Sequence, residues 1–217
     1  MRLPALLALL AIAGMADARD WPALPVPEGA NGQWVARDMV NNGVRMRVAR
    51  YALRQGPAEV IAFYRQQWPG QISITEFGDK TLIGHAEDQH FITIELSGRG
   101  TGSEAQVSMS RISPDKPTTR GQGFLMPSGA QVLNDMEHLD EGSRTISMLS
   151  ALSPFQGEAF YRNRLPAQGW TREPGGSTCS MAALRCLARY SRGKQQITLT
   201  FDRTDNGTSI VAQQTGK

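Results

Sequence analysis

At 217 residues, 40% hydrophobic and 20% charged, the chain has room for one large or two modest globular domains and is too apolar for wholesale disorder. Its formal net charge of +3 is spread thinly, with no Lys/Arg block, which argues against nucleic acid as a partner.

Residues 1–18 read as a signal peptide. Arg2 supplies a positive n-region, Leu3 to Ala13 an apolar run, and Ala16-Asp17-Ala18 the small-x-small pattern a signal peptidase cuts after. The apolar run is shorter than the roughly 20 residues that cross a bilayer core, and no later segment reaches that length. The expected mature chain starts at Arg19, is periplasmic or secreted, carries no cysteine there for lipid attachment, and does not insert in the membrane. Residues 19–30 follow as an extended segment.

The chain then resembles itself. At an offset of 97, Val35, Asp38 and Met39 match Val132, Asp135 and Met136, and Ala62-Phe63-Tyr64-Arg65 matches Ala159-Phe160-Tyr161-Arg162. Pro57, Pro69 and Arg47 have counterparts in Pro154, Pro166 and Arg144. Ten of the thirty-five positions from 35 to 69 are identical, where composition alone would give roughly two. Downstream the offset becomes 105, aligning Ile92-Thr93-Ile94 with Ile197-Thr198-Leu199, so the second copy carries eight more residues between helix and sheet. The predicted fold class is therefore α+β: two tandem modules, residues 31–112 and 129–215, joined by a linker over 113–128.

Within each module the predicted order is hairpin, helix, meander. Asn41-Asn42-Gly43 signals a turn between strands through Met39 and Val44. Gly56-Pro57 and Ser153-Pro154 open helices over 57–68 and 154–165, with Gln156 completing a capping box in the second. Short alternating segments after each helix read as antiparallel strands. A helix on one face of its own small sheet buries both apolar surfaces.

Cys179 and Cys186 form an even pair in an exported chain and are predicted to be a disulfide, with two buried thiols as the alternative. A continuous helix would hold their Cα atoms about 10.5 Å apart, beyond the roughly 7 Å a bridge spans. The bridge therefore requires residues 180–185 to fold back as a loop.

Other constellations read as turns. His85, Glu87, Asp88 and His90 are the one metal-like cluster, but Asp88-Gln89 fits a polar hairpin turn better, and no metal is assigned. Ser191 and Lys194 have Ser-x-x-Lys spacing without the helix that chemistry needs. Gly98 to Gly102 lacks the strand-to-helix context of a phosphate loop, and Asn206-Gly207-Thr208 makes a good turn as well as a glycosylation acceptor. No catalytic, cofactor-binding or metal-binding residue is assigned. The repeated Phe-Tyr-Arg leaves Arg65 and Arg162 as candidate partner-binding cations, set against a reading in which the arginines sit at the solvent edge of each helix. The expected function is that of a non-catalytic binding or adaptor protein of the envelope, contacting another protein or a surface polymer. A small-ligand carrier or sensor, with its pocket between helix and sheet, is the alternative, and an enzyme of unfamiliar type the third.

Overall fold

The computed structural model describes residues 21–112 and 119–216. The signal peptide predicted over residues 1–18 and the first part of the predicted linker lie outside them.

In chain order the elements are β1 (Asn31–Asn41), β2 (Val44–Leu53), α1 (Pro57–Gln67), β3 (Ile72–Phe77), β4 (Lys80–Glu87), β5 (His90–Arg99) and β6 (Gly102–Arg111). They continue as β7 (Gln131–His138), β8 (Ser143–Ser150), α2 (Pro154–Arg164), β9 (Thr171–Ser177), β10 (Arg185–Arg192), β11 (Gln195–Thr204) and β12 (Gly207–Thr215). Local chemistry explains the boundaries. Asn42 and Gly43 both take positive φ, 51° and 85°, the geometry a two-residue hairpin needs. The Ser153 hydroxyl accepts from Gln156 N at 3.2 Å, and Gln156 Oε1 accepts from Ser153 N at 2.9 Å. At the first helix Gly56 offers no side chain, so only Glu59 returns a bond, accepting from Gly56 N at 2.9 Å.

The predicted architecture does not hold. The chain does not form two α+β modules with a sheet each. It forms one predominantly β structure, a single antiparallel sheet of twelve strands in the order β3-β4-β5-β6-β2-β1-β7-β8-β12-β11-β10-β9. The cause lies at the seam. A hairpin's outer strand presents unpaired N–H and C=O groups, which pair with any strand that reaches them. Here β1 meets β7, with Met39, Val40 and Asn41 opposite His138, Glu137 and Met136. Asn42 N donates to Asp135 O at 2.7 Å, and Leu139 N donates to Asp38 O at 2.9 Å. The Asn42 side chain adds bonds to the Asn134 side chain at 2.9 Å and to Asp135 N at 3.0 Å.

The sheet has one helix-bearing face. Under α1, Val60, Tyr64 and Trp68 pack on Ile83, Ile92 and Ile94; under α2, Tyr161 packs among Met148, Leu199 and Phe201. These two clusters share no residue. A third, smaller cluster of Ala36, Met39 and Val48, with Met46 and Met136 beside it, joins β1, β2 and β7 near the seam. Strand alternation leaves Thr93, Glu95, Gln106 and Ser108 half-buried on the opposite face.

Register differs between the two halves. The β1–β2 connection has two residues, and the β7–β8 connection has four, 139–142. Arg144 accordingly stands opposite Glu137 as Arg45 stands opposite Val40, so Arg45 and not Arg47 occupies the matching place.

The disulfide is present. Cys179 and Cys186 are bonded with Cα atoms 4.8 Å apart, and residues 180–184 fold back between β9 and β10. Cys186 belongs to the second core and Cys179 packs against it, so the bridge pins a loop directly to buried structure. Met181 and Leu184 stand out at its tip, 85% and 72% exposed. Closing a loop of this size is worth about 2.5 kcal/mol in chain entropy. The double variant Cys179→Ala/Cys186→Ala is expected to lose about 2–3 kcal/mol. Hydrogen exchange should show residues 175–187 opening first, while β11 and β12 stay protected.

Candidate functional site

The sheet's centre is left between two helices. Helix α1 rests on β5 and α2 on β10 and β11, and six strands separate β5 from β11. At about 4.8 Å per strand the separation along the sheet is about 34 Å. Helices about 10 Å wide leave much of that span uncovered. The segments before each half fill part of it: Trp21 and Leu24 pack on the first core, Phe124 and Met126 on the second. Between them lies a groove floored by β1, β2 and β7.

Pairing register decides which side chains face this groove. Asp135 stands opposite Ile146, a member of the second core, and Arg47 stands opposite Met109, a member of the first. Directly opposed residues share a face, so both belong to the helix-bearing side. Two forked ion pairs are set there, one on each flank of the seam. Arg45 donates to both carboxylate oxygens of Asp38 at 2.8 Å each. Arg144 donates to both oxygens of Asp135 at 2.9 and 2.7 Å, and Asp135 also accepts from Gly121 N at 2.7 Å. The hydrogen bond from Arg45 holds the Asp38 carboxyl below its ordinary range, with the charges of Arg45 and Arg47 adding to it against the effect of burial. The hydrogen bond with Asp135 raises Arg144.

These pairs differ in exposure. The Asp135 and Arg144 side chains are 13% and 15% exposed, those of Asp38 and Arg45 25% and 37%. Asp135→Asn leaves a poorly hydrated guanidinium short of its partner and is expected to cost about 2–3 kcal/mol. Asp38→Asn is expected to cost about 1 kcal/mol or less. Because the folded-state value of Asp38 is depressed, its contribution is present above the unfolded carboxylate value, near 3.9, and is lost as pH falls through the folded value. Urea denaturation of wild type and Asp38→Asn should therefore converge in acid.

A cleft along the groove, about 450 Å³, is lined by Trp34, Arg37, Asp38, Arg47, Leu139 and Asp140. Trp34 and Leu139 are 43% and 45% exposed. The Arg47 guanidinium lies 4.9 Å over the Trp21 ring, and its Nε is buried without a hydrogen-bond partner. The Asp140 carboxylate accepts from Arg37 N at 2.9 Å. Among the described residues neither Arg37 nor Arg47 has a carboxylate at ion-pair distance.

The residues singled out in the sequence fall elsewhere. Arg65 is exposed on the last turn of α1. Arg162 lies on α2, where it meets the buried Glu158 at 3.1 Å, and Arg172 reaches the other carboxylate oxygen at 3.2 Å. The two arginines lie on different helices over different cores and are not brought together. His85 is buried in a stack on Trp68, ring centroids 4.1 Å apart, and shares a hydrogen bond with Gln71 O at 2.9 Å. His90 packs against Trp21. Among the described residues no three His, Cys, Asp or Glu side chains are grouped to hold a metal ion. Ser191 to Lys194, Gly98 to Gly102 and Asn206-Gly207 all fall at hairpin connections.

Sequence reasoning missed the Glu158 cluster and the residues that line the groove. Glu158 was legible as a charge at the place where the first helix carries Ile61. Nothing local marked Trp34, whose setting depends on the seam. Comparison of the chain with protein-family models, with curated proteins and with solved structures returns no match.

Proposed function

We propose that the protein is a non-catalytic, exported binding protein of the cell envelope that holds another protein or a surface polymer in the groove over the β1–β7 seam. One observation carries the reading: half-exposed Trp34 and Leu139 line a cleft together with Arg37 and Arg47, whose guanidinium groups have no carboxylate partner among the described residues. Exposed apolar surface set beside guanidinium groups that lack a carboxylate at ion-pair distance is suited to a partner that brings both contact area and negative charge. The helix–sheet interfaces, where a small ligand would have to lodge, are instead occupied by the stack of Tyr64, Trp68 and His85 and by Tyr161 against Phe201.

The test uses the mature protein as bait in envelope extract, with Trp34→Ala/Arg37→Glu as the matched control. Both positions are exposed, so the variant should keep the wild-type melting temperature. Partners recovered by wild type and lost by the variant support the groove. An identical set of partners on both baits would remove it from consideration.

A further inference from the structure

The seam leaves part of β1 unpaired. Strand β1 runs from Asn31 to Asn41, but β7 meets it only at Met39 to Asn41. Beyond that point Asp140 caps Arg37 N, Ala36 is buried, and β1 shifts register against β2 between Trp34 and Met39; among the described residues Asn31 to Val35 have no strand on the side away from β2. This is an internal notch in the sheet, about one short strand long.

A cleft lies on each face of that free edge. On the helix-bearing face is the one lined by Trp34, Arg37, Asp38, Arg47, Leu139 and Asp140, with Asp38 already paired to Arg45 and Asp140 to Arg37 N. On the opposite face a second cleft, about 240 Å³, is lined by Asn31, Gln33, Arg50, Ala52, Arg99 and Glu104. Gln33 stands opposite Arg50, and Arg50 opposite Gln106, which places this cleft on the face that carries Thr93 and Ser108. Successive side chains of any added strand point to opposite faces, so they would enter the two clefts in turn. A strand adding to a sheet edge draws affinity from main-chain hydrogen bonds and specificity from such alternating pockets.

Resting on the groove reading above, we propose that the partner enters as an extended peptide segment that pairs with the free edge of β1 at Asn31–Val35. It carries an apolar side chain against Trp34 and Leu139, and an acidic side chain toward Arg37 and Arg47. A polysaccharide offers no row of amide donors and acceptors to match the free edge, whereas a peptide backbone does. The outer edges of the sheet differ in openness. At one, β9 contains Pro174, which has no N–H to donate; at the other, β3 pairs regularly with β4. The β3 edge is therefore the control.

The probe is a displayed library of random linear twelve-residue peptides, selected on the mature protein. A synthetic peptide from the selection should protect the amides of residues 31–35 from hydrogen exchange. N-methylation at alternate peptide positions should weaken it at least tenfold in one phase of alternation and little in the other. Arg37→Glu should weaken an acidic peptide at least tenfold, and exchanging the peptide's Glu for Lys should restore binding to that variant. Protection at Ile72–Phe77 in place of β1, indifference to N-methylation, or a selection that yields no binder would each overturn the inference. If no peptide binds while envelope polysaccharide is retained in a Trp34-dependent way, the groove reading survives and the peptide inference alone fails. If peptides protect only β3 and partner capture ignores Trp34→Ala/Arg37→Glu, both fail.

Discussion

Phe201→Ala is expected to cost about 3–5 kcal/mol and to open the second half of the molecule while the first stays closed. Phe201 is fully buried on β11, with strands on both sides and its ring centroid 6.0 Å from that of Tyr161 on α2. A Cβ built at Gly157 would come within 3.0 Å of the Phe201 ring, so the helix backbone approaches this side chain as closely as a glycine allows. Truncation leaves a void under a rigid contact that cannot collapse without moving α2. The damage should stay local because the two large cores share no residue and the seam joins β1 to β7 through three opposed residue pairs. Hydrogen exchange should report loss of protection across β10, β11 and β12, with β5 and β6 near wild-type values. Equal loss in β5 and β6 would show that the continuous sheet unfolds as one cooperative unit.

Most elements were legible locally; β9 and the way the elements assemble were not. Pro57 and Pro154 at helix starts, the alternation of Ile92, Ile94 and Leu96, and the Asn42-Gly43 turn are local signals, and each element stands where its signal lies. The fusion into one sheet depends on main-chain groups of Asp38–Asn42 finding those of Asp135–Leu139, and main-chain groups carry no sequence signature. The same holds for the groove. Trp34 and Arg47 are ordinary strand residues in the sequence, and they acquire a cleft only because β7 stops short of them. Arg162 misled for a related reason. Its match to Arg65 lay in the Phe-Tyr-Arg motif, while its setting is decided by Glu158 one turn earlier, where the first helix carries Ile61.

Glu158 is expected to be the most sensitive polar position in the protein. Its side chain is 1% exposed, and its oxygens lie 3.1 Å from Arg162 and 3.2 Å from Arg172, contacts that are ion pairs without hydrogen-bond alignment. Tyr190, opposite Arg172 across the β9–β10 pairing, is pushed up to about 12, by burial first and by the Glu158 charge second. A buried carboxylate held by charge alone balances a large desolvation cost against two Coulombic contacts, and such clusters respond asymmetrically to substitution. The partner arginines are 41% and 38% exposed and can return to water, which softens the loss. Glu158→Ala removes the balancing charge and leaves a cavity above the second core, for an expected cost of about 3–4 kcal/mol. Glu158→Leu removes the same charge but refills the space with an apolar group, as Ile61 does at the matching place on α1. It is expected to cost less than about 1 kcal/mol or to stabilise. Urea denaturation of the two variants separates the contributions, and Arg162→Ala in the Glu158→Leu background should then be nearly neutral. If Glu158→Leu proves as damaging as Glu158→Ala, the ion pairs and not the filled volume hold α2 to β9, and the cluster is a net source of stability.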